Sequence, residues 1–108
     1  MTKQSAIATA AYAASLVVKS SPGKILSVTG YNSKGSAQFV QIHDAAALPA
    51  DAAVPLAVIT VAATSNFAFT LPADGLPVNV GIVVCNSSTG PTKTIGSADL
   101  FITAVFKQ

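Results

Sequence analysis

Arginine, glutamate and tryptophan are absent from this chain, and cysteine occurs once, at Cys85. Each absence removes a class of function or a source of stability. Arginine is the residue of bidentate phosphate and guanine recognition. Without it, and with a net charge of only +2 from scattered lysines, no phosphate-tracking groove is expected and no nucleic-acid partner. Without Arg or Glu, helical i,i+4 ion pairs and salt-bridge networks are nearly out of reach. One cysteine cannot form an intrachain disulfide, so the staples of small secreted domains are missing. Long apolar runs are missing too. Ala52–Ile59 is among the longest, and Pro55 interrupts it. That is far short of the roughly 18 residues of a spanning helix, so no membrane partner is expected.

What is present is small and apolar. Charged residues make up 9% of the 108 residues and hydrophobic ones 51%. A typical soluble domain is about 25% charged. All cations are lysines (Lys3, Lys19, Lys24, Lys34, Lys93, Lys107) and all anions aspartates (Asp44, Asp51, Asp74, Asp99). Twenty alanines, 12 valines and 21 serines and threonines suit tightly packed strands. Disorder is excluded, since it requires low hydrophobicity and high net charge. The length allows one domain.

Residues 1–14 differ from the rest. They are Ala, Thr and Ser around Ile7 and Tyr12. Lys3 before an Ala-rich run, with Ala11-Tyr12-Ala13, has the look of a secretory leader. Thr9 and Tyr12 break its apolar stretch, however, and an extended arm or short helix packing on a neighbour is the better expectation. From Ser15 on, alternation and turn residues predict seven strands: 15–20, 24–32, 38–43, 54–62, 66–71, 78–86 and 99–107. Ser21-Pro22-Gly23, 31–35 and Pro72-Ala73-Asp74-Gly75 are the turns between them. Short strands at this spacing predict an all-β, single-domain antiparallel β-sandwich over 15–108, jelly-roll or immunoglobulin-like, with residues 1–14 as an N-terminal arm. The segments 52–61 and 78–85 carry more apolar surface than one inner face needs, which points to a subunit interface.

Few residues could carry chemistry. His43-Asp44 is the one His–carboxylate neighbour pair, and adjacent strand residues point to opposite faces. Cys85 with His43 as base is a possible nucleophile pair, but Val83-Val84-Cys85-Asn86 reads as core strand. One His, one Cys and four dispersed Asp do not make a metal cluster. No phosphate-binding, dinucleotide, zinc-protease or nucleophile-elbow motif occurs. Asn86-Ser87-Ser88 matches the glycosylation acceptor pattern. No enzyme activity and no cofactor are expected.

A resemblance adds to this. Ser21-Pro22-Gly23 leading into Lys24-Ile25-Leu26-Ser27-Val28, the turn Gly30-Tyr31-Asn32-Ser33, and the runs 38–45 and 48–55 resemble a group of small virion structural proteins of tailed bacteriophages. So do Asn66-Phe67-Ala68-Phe69, the run 81–88 and Lys93-Thr94. The resemblance covers 15–108. It implies a β-sandwich that decorates or cements a capsid, or forms a head fibre. It also implies assembly as a trimer, the major capsid protein as partner, and a place in the phage head after synthesis in the bacterial host cytoplasm. In such a subunit, Ile7 and Tyr12 would anchor the arm, and Phe101, Val105 and Phe106 would serve the core or the trimer contact. The alternative is a receptor- or carbohydrate-binding module of a head or tail fibre, with Tyr31, Phe39, Gln41 and His43 or the loop 87–96 turned outward.

Overall fold

The structure, a computed structural model, describes residues 4–108. Nine strands run in order: β1 (Gln4–Ala8), β2 (Ser15–Lys19), β3 (Gly23–Asn32), β4 (Gln38–Asp44), β5 (Ala57–Val61), β6 (Ser65–Ala68), β7 (Leu76–Val78), β8 (Ile82–Ser87) and β9 (Leu100–Lys107). They form two antiparallel sheets packed face to face. One has the order β1-β9-β3-β6, with β7 also paired to β3; the other has the order β2-β8-β4-β5. The chain is therefore the all-β, antiparallel sandwich its alternation predicts.

The pairing is nested. β1 pairs β9, β2 pairs β8, β3 pairs β6 and β7, and β4 pairs β5. That is a long ribbon of hairpins folded over into two sheets. Of the two windings compatible with the sequence, it is the jelly roll.

Nine strands replace the expected seven, for two physical reasons. Residues 4–8 are neither a free arm nor a helix. They add to β9 in register from Gln4↔Lys107 to Ala8↔Thr103 and form the sheet edge. The expected strand 78–86 is broken after its first residue. The amides of Asn79, Val80 and Gly81 all donate to the Asp44 carboxylate, at 2.8–3.2 Å. Donors spent on a side chain cannot join a ladder, so β7 ends at Val78 and β8 starts at Ile82.

The core lies between the sheets. Ile25, Val28, Val40, Ile42, Ile82, Val84, Leu100, Ile102 and Ala104 are fully buried. Ile25 and Val28 both face inward although three positions apart, because the β3–β9 register shifts between Ile25 and Ser27, as at a bulge. Phe67 and Phe69, two residues apart in the expected strand 66–71, both point inward. Gly30 sits under the Phe67 ring. A Cβ there would overlap the Phe101 carbonyl oxygen and come within 2.6 Å of Phe67 Cζ. One end of the core is polar. Asn32, Gln38 and Asn86 are buried; the Gln38 amide donates to Asn32 Oδ1, and the Asn86 amide donates to Gln38 Oε1 and to the Ser97 carbonyl. An Asn86 side chain held this way is not presented to a glycosylating enzyme.

Candidate interaction face and the buried polar cluster

The outer face of the five-stranded sheet collects three aromatic rings from three places in the sequence. Tyr31 on β3 and Phe101 on β9 are directly opposite in the ladder, so their side chains share a face. Tyr12 reaches the same face by a local geometric device. Thr9 donates its amide to the Ile102 carbonyl, and Ala13 exchanges hydrogen bonds with Leu100. Four residues of chain thus span two residues of β9, and the surplus arches outward. Tyr12, on the arch, stacks on Phe101 with ring centroids 4.1 Å apart and planes 29° off parallel.

Tyr12 is 46% exposed and Phe101 39%; Tyr31 is half-buried. Neither tyrosine hydroxyl has a hydrogen-bond partner among the described residues, and Asn66, opposite Tyr31 on β6, is exposed. Val105 shares the face, paired with Ser27 and with Ala6. Four residues singled out from sequence for two different roles, Tyr12, Tyr31, Phe101 and Val105, therefore share one surface. Sequence reasoning found no aromatic row, because only strand pairing makes one.

Phe106, expected in the core or the trimer contact, points inward and packs against the core. Other expectations need correction. Ile7 lies opposite Ala104 on the inner side, at the sheet margin, and is 36% exposed. Gln41 and His43 were expected to face solvent, yet both are buried. They do point away from the core, but segments 45–56 and 88–95 lie over that side of the four-stranded sheet. Phe39 is half-buried there, with Gly90 against its ring. For the same reason the outward side chains of β8 are covered by the chain itself, although Val54, Leu56 and Val58 remain exposed.

Beneath this cover is a polar cluster. The Gln41 amide nitrogen donates to the carbonyls of Thr89, Gly90 and Thr92 at 3.0, 3.0 and 3.2 Å. Its Oε1 faces His43 Nε2 at 2.9 Å and the Cys85 thiol at 3.8 Å. An amide oxygen only accepts, so His43 is the Nε2–H tautomer. Lys93 is buried, and its ammonium pairs with the half-exposed Asp51 at 2.6 Å. Backbone pairing of Lys93 with Ala52 and Ala53 ties the two covering segments together.

The charges follow from this packing. Burial, and secondarily the Lys93 ammonium, lowers the His43 pKa, so the imidazole is neutral at pH 7. Burial pushes the Cys85 thiol up to about 11, which leaves essentially no thiolate at neutral pH. His43 and Asp44 point to opposite sides, as adjacent strand residues must, and the Asp44 carboxylate is occupied by the 79–81 amides, which lower its pKa. Among the described residues no group of three or more His, Cys or Asp could hold a metal ion, and no helix is long and apolar enough to cross a membrane.

No protein-family model matches the chain, and no curated protein or solved structure matches it. The class that the geometry defines is a jelly-roll β-sandwich with one aromatic sheet face.

Proposed function

We propose that the protein is a structural subunit of a phage virion, a decoration or cement protein of the head that works in many copies. The observation that carries this reading is the outer aromatic face, where Tyr12 stacked on Phe101 lies beside Tyr31 and Val105. Exposed aromatic area of this kind is typical of the centre of a protein interface. The sparse charge leaves little to oppose close packing of copies. The jelly-roll winding recurs among viral capsid proteins, which is an analogy of fold. The mechanism is mechanical: each copy buries its face against a second copy or the major capsid protein, and the summed contacts raise the barrier to shell rupture.

Light scattering tests the first step. A trimer of roughly 32 kDa, three times the 10.8 kDa chain, is the expected closed cyclic assembly. Phe101→Lys should dissociate it, or abolish binding to shells, without lowering the thermal midpoint. A monomeric wild-type chain that also ignores shells would overturn the reading.

A second reading has its own observation. The two tyrosine hydroxyls and the Asn66 amide surround the rings with unpartnered polar groups, a combination that suits stacking on a sugar ring. A glycan array distinguishes it: specific sugar binding lost in Tyr12→Ala favours a fibre-tip module over a cement subunit.

A further inference from the structure

Two basic side chains lie under the cover of the four-stranded sheet. His43 on β4 is 2% exposed, and Lys93 on segment 88–95 is 3% exposed. The closed fold keeps only the lysine charged. The imidazole is neutral, with Nε2–H on Gln41 Oε1 at 2.9 Å. The carboxylate of the cluster, Asp51 on segment 45–56, is half-exposed, and its charge is already matched by the Lys93 ammonium at 2.6 Å. Asp44 lies on the other side of β4, held by the 79–81 amides. The Cys85 thiol on β8 is neutral, and β5 carries no charged residue. The cluster thus holds one cation and one anion, and a second cation would be unmatched.

The two groups sit on opposite sides of a seam. Lys93 belongs to the cover, where its amide donates to the Ala53 carbonyl at 2.8 Å and its carbonyl accepts from the Ala52 amide at 2.7 Å. Segments 45–56 and 88–95 are thereby one unit. His43 belongs to the sheet beneath. The side chain that bridges the seam is Gln41, through the carbonyls of Thr89, Gly90 and Thr92. Lifting the cover therefore carries the ammonium away from the imidazole and lets water reach both.

We infer that the cover is a proton-operated flap: protonation of His43 lifts segments 45–56 and 88–95 off β4 and β8 while the sandwich beneath stays folded. Two like charges shut in a water-poor site repel far more strongly than in water, and an unmatched buried charge is costly in its own right. Opening removes both penalties without breaking the core. The direction follows by linkage. Burial first, and Lys93 second, hold the closed imidazole below its ordinary 6.5. The open form therefore takes up the proton first, and opening grows as pH falls through about 6.5. It uncovers Gln41, Val83 and Cys85, all buried in the closed fold. This device goes beyond the assembly reading and does not involve the aromatic face.

The lone thiol reports the opening, because Cys85 is buried under the flap and is the one cysteine of the chain. Its modification by dithiodipyridine is timed on the full chain from about pH 7.5 to about pH 5, against the urea-unfolded chain at each pH. The protection so measured should fall at least about fivefold across that range, with a midpoint that follows the His43 ring titration in NMR. Amides of β3 and β9 should keep their exchange protection throughout. His43→Gln retains an N–H for Gln41 and does not titrate, so the fall should vanish. Lys93→Met removes the other cation, so the fall should move to lower pH. Constant protection in the wild type, an equal fall in His43→Gln, an unmoved midpoint in Lys93→Met, or simultaneous loss of β3 and β9 protection overturns the inference. Scattering and shell binding of Phe101→Lys read the opposite sheet, so either idea can fail alone.

Discussion

Gln41→Ala is the sharpest perturbation of the polar cluster. The side chain holds segment 88–95 through its amide nitrogen and His43 through its oxygen. Not every partner is orphaned by its loss. The Thr89 carbonyl also accepts from Ser87 Oγ at 2.7 Å, and the Thr92 carbonyl from Thr89 Oγ1 at 2.7 Å. The groups left without a partner are the Gly90 carbonyl, His43 Nε2–H and the Cys85 thiol, the last a weak donor whose loss adds little. A buried unsatisfied group costs roughly 1–3 kcal/mol. The carbonyl and the imidazole N–H together should cost about 3 kcal/mol once water recovers part of the loss at the loop. That is a large fraction of the 5–15 kcal/mol that typically stabilises a domain. Urea unfolding should show it as a lower midpoint at unchanged slope. Hydrogen exchange should show where it falls, with protection lost at Ser88, Lys93 and Ala52, whose amides pair the covering segments, and retained in β3 and β9. A loss below about 1 kcal/mol, with exchange at those three amides unaltered, would mean that Gln41 does not hold the cover down.

Gly30→Ala should be severe, since its Cβ would overlap the Phe101 carbonyl and meet the Phe67 ring. A cost of about 3 kcal/mol lowers the thermal midpoint by roughly 12 °C or more, while Gly35→Ala, with nothing within 4 Å, should change it little in calorimetry. Stability should fall on acidification in two stages. His43 has a folded pKa below its ordinary 6.5, so the unfolded chain binds the proton first and stability drops as pH falls from about 6.5 toward the folded value. Asp44, Asp51 and Asp74 are held below their ordinary 3.8, mainly by the 79–81 amides for the first and by lysine partners for the other two. Their contribution is lost at lower pH, as each is protonated. Denaturation midpoints between pH 8 and pH 3 should show both stages, and the first should vanish in a variant lacking His43.

How much of this was legible in the sequence depends on the range of the cause. Alternation is local, so the inward faces of β4 and β9 follow from Val40 and Ile42 and from Leu100, Ile102 and Ala104 alone. Charge and cysteine content are local too, and the class of fold follows from them together with the turns. What was missed was decided by contacts between distant segments. Gln41 and His43 sit on the outward side of β4 just as alternation predicts, and solvent is the default expectation for that side. They are buried because loops some 10 and some 50 residues away fold over them, and a polar outward face was the only signal that something polar would cover it. The break between β7 and β8 depends on a carboxylate 35 residues earlier, at Asp44. The aromatic row depends on the register that sets Tyr31 against Phe101 and on the four-residue arch that carries Tyr12. Each of these lies on the link from pairing to surface. The proposed function rests on that same link, which is why it turns on Phe101 and its ring neighbours and not on any motif.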